Sequence, residues 1–246
     1  MTSPAARSLT SRLLICLLAC ALMSGCKAPG KPGPGPEVPR PDDVSDFATL
    51  YAQNCAACHG EHGRNGAAIS LANPVYLAIA GAPNIQRITA NGVPDTAMPP
   101  FSKSLGGMLT DRQISILAQG IVSAWGNPSA LAGQTPPAYA SSTPGDATNG
   151  QKTFATYCAR CHGADGAGAA VDKTHTGSLV DPAYLALISD QGLRSILIAG
   201  KPDDGMPDWR GHLSGAQQHT LSDQEINDLV AWLASHRTAA PGQPYK

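Results

Sequence analysis

Charge is scarce in this chain: 14% of its 246 residues are Asp, Glu, Lys or Arg, and the formal net charge is −1. No Lys/Arg cluster of the kind that grips a phosphate backbone is present, which excludes nucleic acid as a partner. Aromatics are few, with three Phe, six Tyr and three Trp, and that scarcity argues against one large conventional core. Long apolar runs are missing as well. The longest, Leu13 to Met23, has 11 residues, and a helix of that length falls well short of the roughly 30 Å hydrocarbon core of a bilayer. In their place the chain has 26 Gly and 21 Pro, a composition for long loops wrapped around something.

The short apolar run, preceded by Arg7 and Arg12, reads as an export signal over residues 1–25. Met23-Ser24-Gly25-Cys26 resembles a bacterial lipobox, which makes Cys26 the lipid-bearing N-terminus of the exported chain. An ordinary signal peptide cleaved nearby is the plainer alternative. Residues 26–45 contain Lys31-Pro-Gly-Pro-Gly-Pro36 and should form an extended Pro-rich tether from such an anchor. Cleavage removes two cations and leaves 15 basic against 18 acidic side chains.

Of seven cysteines, Cys16 and Cys20 fall in the signal and Cys26 is the lipid site. The remaining four form Cys55-Ala-Ala-Cys58-His59 and Cys158-Ala-Arg-Cys161-His162, the attachment pattern for c-type haem. Two thiols three residues apart lie on one helical turn and can each bond a haem vinyl group, while the adjacent His puts an imidazole nitrogen beneath the iron. A thioredoxin-like redox pair would not require the His. A zinc site would need both pairs together, and 100 residues of separation with a repeated His argue against that. No cysteine is left for a disulfide.

The pentapeptides belong to a longer internal repeat. Asn73-Pro74-Val75-Tyr76-Leu77 matches Asp181-Pro182-Ala183-Tyr184-Leu185, each an N-cap followed by Pro at the first helical position. Asn91-Gly92-Val93-Pro94-Asp95 leads to Met98-Pro99 as Ala199-Gly200-Lys201-Pro202-Asp203 leads to Met206-Pro207. Five residues around Val171 to Thr176 are extra in the second copy. Thr110-Asp111-Arg112-Gln113 and Ser222-Asp223-Gln224-Glu225 read as capping boxes opening a last helix in each copy. The predicted class is all-α, with no convincing strand. The predicted organisation is domain 1 over 46–126, a linker over 127–146, domain 2 over 147–237 and a tail over 238–246. Units this small bury little apolar surface alone, so each should fold poorly without its haem.

His59 and His162 fill one axial position on each iron. Outside the signal only Met98, Met108 and Met206 offer thioethers. Met98 and Met206 occupy equivalent places in the repeat, each followed by Pro, and are the preferred sixth ligands; a core-filling role is the bland alternative. Met108 has no counterpart. His62, His175, His212, His219 and His236 are rival ligands, but none recurs in register.

On Cys55, Cys58, His59, Met98 and Cys158, Cys161, His162, Met206 the chain resembles tandem two-haem class I cytochromes c of bacterial periplasms. The likeness covers about residues 46–126 and 147–237. Members carry a Gly and an aromatic where the first helix crosses the last. Gly150 and Phe154 match in the second repeat, whereas Phe47 replaces the Gly in the first and Tyr51 takes the aromatic place.

The resemblance implies two covalent haems c and outer-sphere electron transfer, with no small-molecule substrate. Redox proteins, or a respiratory or photosynthetic membrane complex, are the expected partners. The second domain's excess of ten acidic over seven basic residues suits a basic partner. A dihaem enzyme, such as a peroxidase or sulfur-compound oxidase, is the alternative. The expected location is the periplasmic side of a membrane. Lys27 stands where an inner-membrane retention signal resembles Asp, which points to the outer membrane.

Overall fold

The computed structural model describes residues 33, 35, 37–171, 174–211 and 219–238. The signal 1–25, Cys26, most of the Pro-rich tether before residue 37, His212 and residues 239–246 lie outside the described residues. The chain divides into two compact units, Met1–Arg40 and Pro41–Lys246. In the first, the described residues are exposed and belong to no helix or strand. Among the described residues no helix is long and apolar enough to cross a membrane.

The helices of the second unit begin where local chemistry satisfies their free N–H groups. In the first repeat α1 (Phe47–Asn54) starts at Asp46, whose carboxylate accepts from Thr49 N–H at 2.8 Å. After Cys55 comes the single turn α2 (Ala56–His59), then α3 (Pro74–Asn91), capped by Asn73, and α4 (Asp111–Trp125), opened by the Thr110/Gln113 capping box. The second repeat gives α5 (Ala147–Tyr157), α6 (Ala159–His162), α7 (Pro182–Leu187), α8 (Asp190–Ala199) and α9 (Asp223–Ala234), the last with its Ser222/Glu225 box. Helix α3 is broken at Gly81 (φ 63°, ψ 165°), two residues before Pro83, which cannot donate. The second copy breaks at the matching Ser189, whose hydroxyl caps α8 by accepting from Gly192 N–H. The same bend is made once with a left-handed glycine and once with a cap.

The expectation of no strand needs correction. The five extra residues of the second copy lie within an antiparallel hairpin, β1 (Ala169–Val171) with β2 (Thr174–Thr176), in the register Ala169↔Thr176 and Ala170↔His175. Three residues per strand are too few for alternation of apolar and polar residues to declare itself.

At the helix crossings the repeats exchange partners. A Cβ on Gly150 of α5 would stand 2.5 Å from the Asp228 carbonyl carbon and 2.8 Å from Trp232 Cβ, so α5 lies directly on the backbone of α9. In the first repeat the glycine is on the other helix: a Cβ on Gly120 of α4 would stand 2.6 Å from Cγ of Phe47 on α1. Phe47 answers to Gly150, and Gly120 answers to Trp232, in the alignment of the two copies. The displaced indole is supplied by Trp125 instead, which packs edge-on against Tyr51 at 4.9 Å between centroids and abuts Gly63. Trp232 packs against Phe154 at 4.2 Å and abuts the matching Gly166. One seat for a tryptophan ring is filled from two different helical positions.

The repeats share a core. Tyr139, Ile198, Ala199, Trp209 and Ile226 belong to the same buried cluster as Leu50, Leu77, Ile114 and Leu117. The segment between the repeats is bound down over this contact. Arg194, 3% exposed, donates to the Ala138 and Tyr139 carbonyls and to Asn227 Oδ1, and pairs with Asp223. Asn73 ties the halves directly: its Oδ1 caps α3 while its Nδ2 donates to the carbonyls of Ala199 and Gly200, both at 3.1 Å. Its counterpart Asp181 is exposed and only caps. Asn73→Asp keeps the cap but loses both donated bonds and sets a carboxylate against two carbonyls. It is expected to destabilise the holoprotein by about 2 kcal/mol, read by denaturant unfolding. Asp181→Asn should be nearly neutral, since the two residues cap equally well.

Candidate haem sites

Each attachment turn is a kinked continuation of the preceding helix. Cys55 N–H still bonds to Tyr51 O and Cys158 N–H to Phe154 O, both at 2.8 Å. Backbone N–H groups of Cys58 and His59 then return to Cys55 O, and those of Cys161 and His162 to Cys158 O. Both turns end on left-handed glycines, Gly60 (φ 82°) and Gly163 (φ 78°). Tyr51 Oη donates to Gly60 O at 2.9 Å and locks the first turn to α1.

All four cysteines are free. Burial, with Cys58 beside it, pushes the Cys55 thiol up to about 11, and burial with Cys161 beside it pushes Cys158 up to about 12. A thiol-exchange pair activates its attacking thiol by the opposite shift, a thiolate stabilised near neutral pH, whereas burial here disfavours the thiolates of Cys55 and Cys158. Among the described residues no three His, Cys, Asp or Glu side chains gather to hold a bare metal ion. His59 is buried, and its Nδ1 faces Ile69 O at 2.8 Å. That contact makes Nδ1 the protonated nitrogen and leaves the Nε2 lone pair for an iron. Burial lowers the basicity of His59 and of His162, keeping both rings neutral as ligation requires. The donor set therefore fits a thioether-bound haem with an imidazole ligand in each repeat.

The two predicted methionines sit on loops of one design. Each follows a left-handed glycine at the end of a helix, Gly92 (φ 67°) after α3 and Gly200 (φ 66°) after α8. A Cβ there would stand 2.6 Å from Pro99 C in the first loop and from Pro207 C in the second, so the chain folds back against the glycine. Val93 N–H bonds to Met98 O, and Lys201 N–H to Met206 O, each at 3.0 Å. Met98 and Met206 are half-buried, while Met108 is 74% exposed. Among the rival histidines, His62 and His175 are exposed, His219 contacts Tyr157 and Glu225, and His236 contacts Trp232 O.

Several residues that shape these sites were not evident from the motifs: Gly120, the Trp125 and Trp232 rings against Gly63 and Gly166, the Ile69 carbonyl and Thr176. Gly120 could have been found by carrying the repeat alignment through the last helix, where it falls opposite Trp232. The Ile69 carbonyl leaves no mark in sequence.

The family model "Cytochrome C oxidase, cbb3-type, subunit III" matches this chain twice, over residues 42–119 and 145–233. The chain belongs to that family. It is a dihaem c-type cytochrome, and Cys55, Cys58, Cys158 and Cys161 fit the two attachment sites. The cbb3-type cytochrome c oxidase subunit FixPc of Rhizobium leguminosarum bv. viciae is 30% identical over 180 residues, 69% of this chain and 55% of that protein. Subunit CcoP of Rubrivivax gelatinosus is 28% identical over 173 residues, 70% and 50% of the respective chains. The chain spans about half the length of the curated relatives it matches. A chain of the Kuenenia stuttgartiensis reducing HAO-like protein complex aligns at 18% identity over 82% of this chain and all of its own, with a TM-score of 0.41.

Proposed function

We propose that the chain is an electron-transfer subunit or tethered carrier serving a cbb3-type oxidase at the periplasmic face of a bacterial membrane. The observation that carries this reading is the duplication, in one compact unit, of an attachment turn and a Met-bearing loop pinned to a left-handed glycine. Its two domains would be 46–126 and 147–237, joined by the strap 127–146. A haem held at each site would supply one-electron redox chemistry. Cys55, Cys58, Cys158 and Cys161 would supply the thioethers. His59 with Met98, and His162 with Met206, would hold the iron of each haem, a ligand set suited to electron transfer rather than to binding a substrate. A thioether ligand favours Fe(II) and raises the reduction potential. Cys26 would hold the tether to the membrane through a lipid.

Met98→Ala and Met206→Ala should each remove about half of the far-red absorption band of Met-ligated ferric haem and open the affected haem to carbon monoxide. The unaltered reduced protein should not bind carbon monoxide rapidly. Rapid binding by one haem of the unaltered protein would move the reading to an enzyme. Cys26→Ala should release the exported protein from the membrane fraction.

A further inference from the structure

Both haem-ligand histidines carry a second ring nitrogen, and the two copies treat it differently. His59 Nδ1 meets the Ile69 carbonyl at 2.8 Å. His162 Nδ1 is buried and, alone among the buried side-chain nitrogens and oxygens of the described residues, has no hydrogen-bond partner. The cause lies in the chain that follows each attachment turn. In the first copy the backbone N–H of Ala68 bonds to Cys58 O at 2.9 Å, which brings the carbonyl of the following residue, Ile69, onto the ring. In the second copy the hairpin β1–β2 intervenes, and Cys161 O is met by the Thr176 hydroxyl. A donor at the end of a side chain holds its backbone farther out than a donor on the backbone itself. The carbonyl that follows therefore does not reach the imidazole.

An imidazole that gives its Nδ1–H to an acceptor becomes a more basic ligand through Nε2. That favours Fe(III) and lowers the reduction potential, hydrogen bonding around the ligand being one of the protein's levers on a haem. We propose that the hairpin of the second repeat, by denying His162 an acceptor, sets the second haem at the higher potential, so that electrons pass from the first repeat to the second and rest there. The inference builds on the reading that His59 and His162 are axial ligands. The acidic residues of the second repeat act in the opposite direction. Asp165, Asp181, Asp190, Asp203 and Asp204, however, are exposed to solvent, where water and salt screen them, and Asp208 and Asp223 are paired with Arg210 and Arg194, which leaves buried Asp228 to oppose the effect.

The test uses the holoprotein, with proton NMR recorded under electrochemical control so that the resonances of each haem report its own oxidation state. In the reduced protein the Nδ1–H of His59 should resonate downfield of that of His162, as a hydrogen-bonded proton does. Electron exchange between the haems should favour the second by about tenfold or more, which is about 59 mV for a one-electron couple. Deleting residues 171–175, which gives the second loop the length of the first, should lower the second potential alone and move the His162 proton downfield. Inserting those five residues between Ala67 and Ala68 should raise the first potential alone. A lower or equal potential at the second haem of the unaltered protein overturns the inference, as does a deletion that moves the His162 proton but not the potential. Failure of the ligand reading looks different: the far-red band is missing, or carbon monoxide binds the unaltered protein.

Discussion

Replacing Cys55 and Cys58 together by alanine is expected to lower haem content from two per chain to less than one, with the second site losing haem although its own motif is intact. Independent domains would retain one haem. The shared core is the reason for expecting otherwise. Ile198, Ala199, Trp209 and Ile226 of the second repeat are buried in the cluster built on Leu50, Leu77, Ile114 and Leu117 of the first. Asn73 adds two hydrogen bonds across the same contact. Repeats of fewer than about 100 residues bury a smaller fraction of their surface than larger domains do and are correspondingly marginal, so a first repeat without its haem cannot offer the second an ordered face. Haem quantified per mole of purified protein decides the matter. One haem per chain, with an undisturbed second-site spectrum, would count against the coupling.

Gly150→Ala is expected to cost about 3 kcal/mol, at the upper end of the range for overpacking a tight contact. Its added methyl would meet the carbonyl group of Asp228 and Cβ of Trp232. Backbone cannot step aside without parting α5 from α9, and α9 also carries Asp228, whose carboxylate accepts from the N–H of Asp146, the N-cap of α5, at 2.8 Å. Gly120→Ala in the first repeat meets the Phe47 ring first, and that ring is half-buried and can rotate outward. About 1 kcal/mol is expected there. A double-mutant cycle separates the two cases: Phe47→Ala should remove most of the Gly120→Ala penalty, and no side-chain truncation should do the same for Gly150→Ala. Denaturant unfolding of the holoproteins measures both.

The arrangement at this crossing marks a limit of reading from sequence. Gly150 and Phe154 were legible because the second copy keeps the familiar pair on one helix. Phe47 stands in the sequence as a departure from that pair. It is instead half of an exchange, large residue for small across the interface, with Gly120 as the other half. A contact between residues 73 positions apart has no local signature, and Trp125 refills the vacated seat from a place five residues away from the aligned one. The hairpin of the second copy was visible as an insertion but not as strands, because three-residue strands carry no usable period.

The attachment turns, the helix caps, the capping boxes and the pairing of the two methionine loops could all be read from sequence. Each is decided within about one helical turn or one tight loop, where residue type and spacing dictate which bonds can close. Repetition supplied a second copy against which to check every one of them. Tertiary structure alone decided that the two repeats share a core, that Asn73 holds them together, and that His59 finds a carbonyl which His162 lacks. Those outcomes depend on where main-chain groups from distant segments arrive in space. A carbonyl is present at every residue, so sequence cannot say which one will meet the ring.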